Sequence, residues 1–580
     1  MTSQDILEMK NSEIARVFHD MADLLELKGE NVFKIRAYRR AAQVIEHLPK
    51  EMAVMLEQGE DFQKIPGVGD AIAKKSTELI ETGKLKAYED LKDEFPEGIT
   101  RLLEIPGIGP KTAHRLSSEL KITSTEQLEE AIQDGKVADL FRMGDKTAQN
   151  LLHKIQAMRR KDQRIPIGQA LPVVEDILKS LSSFPGVKNM IPAGSLRRFR
   201  ETVGDIDIMG TADNPENVIN KFVALPVVKE VLARGPTKAS VLLSPGLQAD
   251  LRMVEHDSFG SLLQYFTGSK QHNITLRTKY QKKGLKLSEY GITDVAHDRL
   301  EKFTTEEAFY KRLGMQYIPP EIREDQGEIE LSEKHSIPRL VDLRDIKGDF
   351  HVHSKWSDGN NTIEDMAEAA KDAGYKYIAI TDHSKGLGIA HGLTEERLKE
   401  QVLEIRRLNQ KLKDFHILCG MEVDIRADGS IDMPDHMMAQ LDCVVGAIHS
   451  SFNQSEERIT RRIIKAIENP HIDIIAHPTS RLIGEREPTA VDIEAVFEAA
   501  VKHKKAMEIN AMPTRLDLKD IHIHRARELG VMLAIGTDSH IAEQLRLMRF
   551  GIGIARRGWC EPRHILNCLS LEKILAFFKR

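Results

Sequence analysis

The sequence predicts a multidomain protein with an α-helical N-terminal region, an α+β middle and a C-terminal α/β barrel of seven β/α units. Three observations predict it. Near the N-terminus, a short motif of an apolar residue, Pro and Gly-x-Gly is followed by a helical pattern, and the whole occurs twice. Strand-like runs in the middle third alternate carboxylates with aliphatic side chains. From residue 349 onward, seven apolar runs alternate with longer helical patterns.

Size and charge set the frame for each element. At 580 residues the chain exceeds what one core can organise, so three or more units are expected. There is no run of eighteen or more apolar residues, and the opening MTSQDILEMKNSEIARVF is charged from the start. Neither a membrane span nor a secretory signal is expected, and the cytoplasm is the default address. Cys419, Cys443, Cys560 and Cys568 lack metal-site spacing and read as reduced thiols. The net charge of -6 argues against a uniformly basic surface, yet KIRAYRRAA (34–42), MRRKDQR (158–164) and GSLRRFR (194–200) concentrate Arg and Lys locally, as phosphate binding requires.

The helical region carries the repeat. FQKIPGVGDAIAKK (62–75) recurs as LLEIPGIGPKTAHR (102–115), and FRMGDKTAQN (141–150) reads as a degenerate third copy. In the two clear copies Gly67, Gly69, Gly107 and Gly109 can take positive φ and bring bare backbone N–H groups to a phosphate at a helix N-terminus. The repeat resembles the helix-hairpin-helix motif, which implies grip on the DNA backbone without sequence readout. Around AYRRAA and the first hairpin, Lys34, Tyr38 and Lys75 match the small N-terminal domain of DNA polymerase beta-like enzymes, where a lysine acts as a Schiff-base nucleophile. Ala71 replaces the second lysine of that pattern, so the resemblance implies 5′-phosphate binding ahead of lyase chemistry.

The α+β region follows. In AGSLRRFRETVGDIDIMG (193–210), Asp205 and Asp207 alternate with Ile206 and Ile208, so on a strand both carboxylates share one face. LQADLRMV (247–254) places Asp250 and Arg252 on one face and Ala249, Leu251 and Met253 on the other. Three hard carboxylates can converge there to hold Mg²⁺ for in-line phosphoryl transfer. The set of Gly-Ser, Asp-x-Asp and a distant Asp resembles the nucleotidyltransferase superfamily, which implies a palm with Asp205, Asp207 and Asp250 as catalytic metal ligands. It also implies Gly194, Ser195, Arg198 and Gly204 at the triphosphate. SFGSLLQYFTGSKQHNITLR (258–277) is similar to the thumb of family X DNA polymerases. That likeness implies Tyr265, Phe266 and Gly268 at the sugar, with Asn273 and Arg277 at the nascent base pair, and Lys270 departs from the acidic residue of the vertebrate enzymes.

The barrel completes the chain. Its seven runs are DFHVH (349–353), YIAITDH (377–383), HILCGMEVD (416–424), CVVGAIH (443–449), IDIIAH (472–477), AMEIN (506–510) and VMLAIGTD (531–538). All but one end in His or Asp. In a parallel barrel those ends gather at one rim, bringing His351, His353, Asp358, His383, Glu422, His449, His477, Asp538 and His540 into reach of one another. Imidazole mixed with carboxylate suits Zn²⁺ or Mn²⁺, and more than one ion. The set resembles the PHP (polymerase and histidinol phosphatase) domain, which implies metal-dependent phosphoester hydrolysis.

The expected divisions are 1–90 (helical, with the first hairpin), 91–155 (second hairpin), 156–256 (palm), 257–317 (thumb), 318–340 (a charge-rich, Pro-containing linker) and 341–580 (PHP barrel). Together they resemble a bacterial family X DNA polymerase with a C-terminal PHP domain. That resemblance implies a repair polymerase filling short gaps from deoxynucleoside triphosphates on gapped or primer-template DNA, with Mg²⁺ in the palm. It also implies a barrel that trims 3′ ends and extends to abasic sites. Two rivals remain: a nuclease whose polymerase half only binds DNA, and a barrel that hydrolyses a small phosphate monoester or pyrophosphate. A monomer without membrane attachment is the default, and no protein partner is inferable.

Overall fold

The computed structural model describes residues 9, 11–46, 48, 50–95, 102, 105, 108, 110–137, 152, 155, 164–244 and 246–578. The chain divides into two compact units, 1–163 and 164–580. Among the described residues no helix is long and apolar enough to cross a membrane.

The first unit is helical, as its sequence predicts: α1 (Asn11–Leu27), α2 (Val32–Glu46), α3 (Met52–Glu57), α4 (Asp70–Thr82), α5 (Lys86–Asp93), α6 (Pro110–Leu120) and α7 (Thr125–Gln133). Ile14, Phe18, Met21 and Leu25 recur at helical spacing along α1 and bury against Ile35, Ala41, Ala42 and Ile45 of α2. Tyr38 belongs to this core, with its ring centroid 6.0 Å from that of Phe18. The ring sits on the apolar stripe of α2, while Lys34 on the same helix is exposed. Gly67 takes φ +100°, where a Cβ would press on Val44 and Arg40, but Gly69 has φ -84° and caps α4 in an ordinary extended conformation. One glycine of the first hairpin, not both, needs the left-handed region. Gly107, Gly109 and the third copy at 141–150 lie outside the described residues.

The second unit opens with α8 (Ile167–Ser182) on a five-stranded sheet of order β1-β2-β5-β4-β3, formed by β1 (Val187–Pro192), β2 (Asp205–Ala212), β3 (Val228–Arg234), β4 (Lys238–Leu243) and β5 (Gln248–Met253). β2 and β5 are parallel neighbours, and every other pair is antiparallel. The predicted alternation holds: Ile206, Ile208, Ala249, Leu251 and Met253 are buried while the intervening acids are half-buried. Then come α9 (Phe259–Thr267), α10 (Lys270–Gln281), a three-stranded antiparallel sheet and α11 (Glu306–Arg312).

Residues 318–340 are not an exposed linker. Ile318, Ile322, Ile329, Ile337 and Leu340 join the core under α10 and α11. Arg323, fully buried, donates to Glu306 Oε1 at 2.6 Å and to the Ile318 carbonyl at 2.9 Å. Charge-rich composition signalled exposure, but apolar spacing and paired charge win.

The barrel strands are β6 (Gly348–Val352), β7 (Tyr377–Ile380), β8 (His416–Asp424), β9 (Cys443–Ala447), β10 (Ile474–Ile475), β11 (Ala506–Asn510) and β12 (Met532–Gly536), all parallel and in chain order. The His353 N–H donates to the Ser539 carbonyl at 2.8 Å, and a Val352–Ser539 bridge brings the last strand back to the first. Seven predicted runs become seven strands. The four cysteines are free.

Palm and barrel are packed together within this unit. Phe199, at φ +58°, stands with its ring 5.9 Å from that of Phe550, and a Cβ on Gly553 would lie 2.2 Å from the Phe199 ring. Arg557 donates to the Arg198 carbonyl at 2.8 Å, to Glu324 at 2.9 Å and to Asp520 at 2.6 Å. Burial pushes the Glu324 carboxyl up, but Arg557 and then Arg198 outweigh it and hold it at about 2.

Candidate active sites

In the palm, parallel pairing sets Asp207 directly opposite Asp250 and Asp205 opposite Gln248, so the three carboxylates share one face of the sheet. Asp250 accepts from the Ser240 hydroxyl and, at 2.8 Å, from the Gln248 amide. Gly194 takes φ +60° at the start of the helical turn Gly194–Arg197, and a Cβ there would come 2.7 Å from Asp207 Oδ2. The turn can approach the carboxylates only because that side chain is absent. Ser195 is half-buried on the same turn, and Gly204, buried, leads into β2.

Arg198 departs from expectation. Its guanidinium donates to Glu324 at 3.1 Å and to the Thr267 carbonyl at 2.6 Å, so pairing with these two residues fixes it here. Tyr265 and Phe266 stand edge to face at 5.2 Å, with Arg277 over Tyr265 and Arg252 over Phe266. Gly268 is left-handed at φ +69° and backs onto Arg198. The Asn273 amide donates to the Tyr265 carbonyl at 2.7 Å and accepts from Gln264 at 3.0 Å, which ties it to α9.

The barrel gathers its residues more tightly. Glu422, buried on β8, is the hub: its carboxylate oxygens lie 2.9 Å from His383 Nδ1, 3.2 Å from His449 Nε2, 3.2 Å from His477 Nε2 and 3.3 Å from His351 Nε2. Asp538 lies 3.2 Å from His353 Nε2, and Asp358 lies 3.4 Å from His540 Nε2 and 3.7 Å from His383 Nε2. Three overlapping groups have all their ligand atoms within 4.8 Å: His353 with Asp358, His383 and His540; His351 with His353 and Asp538; His383 with Glu422 and His449. Among the described residues no other group of three or more does. Eight of the nine expected residues fall in these groups, and His477 joins through Glu422.

A cation fits this donor set. His351 Nε2, both ring nitrogens of His353, Glu422 Oε2, His449 Nδ1 and His477 Nδ1 are buried with no hydrogen-bond partner, a costly arrangement that coordination would relieve. Burial and then the facing His383 imidazole push His353 down to about 3, leaving it neutral with a lone pair to give. At the rim, Asp358 and Asp538 outweigh burial and hold His540 up at about 9.

A supporting layer escaped the sequence reading. Glu508 accepts from His351 Nδ1 at 2.6 Å and, through its other oxygen, from the His477 N–H at 2.7 Å. Gly536 makes room for it: a Cβ there would lie 2.2 Å from Glu508 Oε1. Asp382 accepts from Ser354, Ser357 and Gln401, pinning the loop that carries Asp358. The available signal was a lone Glu between Met507 and Ile509 in an apolar strand.

The comparisons agree with this geometry. A helix-hairpin-helix domain matches residues 9–85, and a SAM-like helix-hairpin-helix tandem matches 59–121 and 99–157. A DNA polymerase beta thumb matches 262–324 and a PHP domain 349–512. The thumb match runs past 317 into the segment expected as linker, in keeping with its packing. A DNA polymerase/3′-5′ exonuclease PolX of Bacillus subtilis (strain 168) is 42% identical over 574 residues, covering 99% of this chain and 100% of that protein. The chain belongs to the PolX family. A probable phosphatase of Thermoanaerobacter sp. (strain X514) is 33% identical over 244 residues, 40% of this chain and 94% of its own length, and one of Shewanella sediminis is 30% identical over 242 residues. The barrel thus occurs in PolX joined to a polymerase, and in those relatives as nearly the whole protein.

Proposed function

We infer that this chain is a DNA polymerase that carries its own 3′-5′ exonuclease, binding DNA and nucleotides and using divalent metal at both centres. The end-to-end match to the B. subtilis PolX carries the reading. The finer assignments follow from the residues. In the palm, Asp205, Asp207 and Asp250 would hold Mg²⁺, a fit supported by their shared, half-buried face. When bound, such ions neutralise phosphate charge and favour the attacking oxygen. Gly194 and Ser195 present backbone to the triphosphate, and Tyr265, Phe266 and Gly268 shape the sugar pocket. Arg198, held by Glu324, stands to neutralise the triphosphate.

In the barrel Glu422 and the eight residues around it would hold Mn²⁺ or Zn²⁺, which when bound supplies Lewis acidity at the scissile phosphate. Glu508 orients His351 throughout, and Asp382 holds the Asp358 loop. Gly67 and Gly69, with Lys34 and Lys75, serve the DNA backbone. We further propose short-gap repair as the task, the cytoplasm as its place and a monomer as its form. We propose the six divisions with two changes, a packed 318–340 and a thumb reaching 324.

The test is a time course on a 5′-labelled primer in a one-nucleotide gap, with Mg²⁺ or Mn²⁺. It compares wild type with Asp205→Ala/Asp207→Ala and with His351→Ala/His353→Ala. The first variant should lose extension and keep shortening, and the second the reverse. Shortening that survives the histidine changes sinks the nuclease assignment. The phosphatase relatives favour a second reading, a small-phosphoester hydrolase, so histidinol phosphate and pyrophosphate belong in the same assay.

A further inference from the structure

The metal cluster alone does not explain how a DNA strand, and not any small phosphoester, reaches it. The loops that leave β9, β10 and β11 bear on this. Three residues beyond His449, Phe452 lines an open depression of about 840 Å³ together with Arg458 and Arg486. Arg486 comes from the loop that leaves His477, and its guanidinium lies 4.1 Å from the centre of the Phe452 ring. The rings of His449 and His477 themselves stand 5.5 Å apart, so the two loops that carry the aromatic-arginine pair leave neighbouring ligands.

Both loops are held in shape. Buried Arg462 donates to the Ser450 carbonyl at 2.9 Å and to Gln454 at 3.3 Å, clamping the Phe452 loop from below. Arg486 Nε donates to the Ser480 carbonyl at 2.8 Å, and the Ser480 N–H returns to the His477 carbonyl at 2.8 Å. A third arginine closes the distance to the metal cluster. Arg515, after β11, has Nε 3.8 Å from Asp538 Oδ2, and its Nη1 is buried with no hydrogen-bond partner. Burial and then the charge of Arg515 hold the Arg486 guanidinium below its ordinary value, so the two cations lie within each other's field. Like charges brought together beside an aromatic face suit a polyanion whose bases stack.

We propose that Phe452 and Arg486 form a stacking subsite for a base of a single-stranded DNA 3′ end, with Arg515, Arg486 and Arg458 tracking its phosphates from the metal cluster outward. The subsite rests on the reading of the barrel as a DNA exonuclease and names how that site selects its substrate. A small phosphoester fills only the metal cluster. An oligonucleotide engages the cluster and the track together.

The test compares the Mn²⁺-loaded full chain on a 5′-labelled single-stranded oligodeoxynucleotide and on bis(p-nitrophenyl) phosphate. For Phe452→Ala the ratio of kcat/KM between the two substrates should fall about tenfold, chiefly through the KM for the oligonucleotide, and Phe452→Trp should restore it. For Arg486→Gln the salt dependence of that KM should weaken by about one phosphate contact. An unchanged ratio in Phe452→Ala, or one that Trp does not restore, overturns the subsite while leaving the nuclease reading intact. If wild type hydrolyses the small diester but not DNA, the nuclease reading fails, and the subsite with it.

Discussion

The barrel and the palm solve the same problem, holding acid ligands for divalent metal, with different amounts of help. In the barrel, ligand atoms lie within 4.8 Å of one another in each of three overlapping groups, and Glu508 and Asp382 brace them from the same closed ring of strands. In the palm, the carboxylates line one face of two strands, and their neighbouring turn depends on partners outside the palm: Glu324 at the end of the thumb and Arg557 of the barrel domain. A closed barrel supplies its own second layer of support, whereas an open sheet borrows one. The lesson is an asymmetry, in which damage to the barrel side reaches the palm more readily than the reverse.

The largest expected effect tests that asymmetry. Arg557→Ala leaves buried Asp520 without its cation and Glu324 with Arg198 alone, and should cost about 3–5 kcal/mol of stability by denaturant unfolding. At a temperature where the fold persists, it should lower primer extension more than primer shortening, and equal losses would break the comparison. Next, Gly194→Ala drives a methyl toward Asp207 and should reduce extension about a hundredfold in single-turnover assays, with shortening unaffected. For the barrel, Glu508→Gln should weaken metal affinity about 10–100-fold in titrations followed by calorimetry, leaving extension at wild-type rates. The smallest effect is in pH. Glu324 is held at about 2 against an ordinary 4.5, so its stability is present above pH 4.5 and fades as pH falls toward 2. The Tm gap between wild type and Glu324→Gln should therefore shrink by about 2–4 °C between pH 7 and pH 3.

Much of this was legible in residues. His and Asp at the ends of apolar runs announced seven strands because a parallel barrel must expose its polar strand ends at one rim. Asp205 and Asp207 announced a strand face because Ile206 and Ile208 need a core. The failures share a cause, since charge or aromaticity in one dimension does not report its partner in three. Arg323 lies in a charged stretch yet is buried because Glu306 waits 17 positions away in the fold's interior, at 2.6 Å. Arg198 matched a phosphate ligand, but Glu324 holds it. Glu508 sat inside an apolar strand, where only the barrel's interior explains a carboxylate.

Gly553 has a consequence for how such proteins can be assembled. Its missing side chain is a socket, and the Phe199 ring is the plug. Joining a polymerase to a phosphoesterase in one reading frame makes a tether, but a plug in a socket makes a fitted joint. A barrel transplanted from one of the phosphatase relatives would need the same hole at the same height on its last long helix, or the palm would not seat. The unit that recombination must keep together thus includes both halves of this joint, not the barrel by itself.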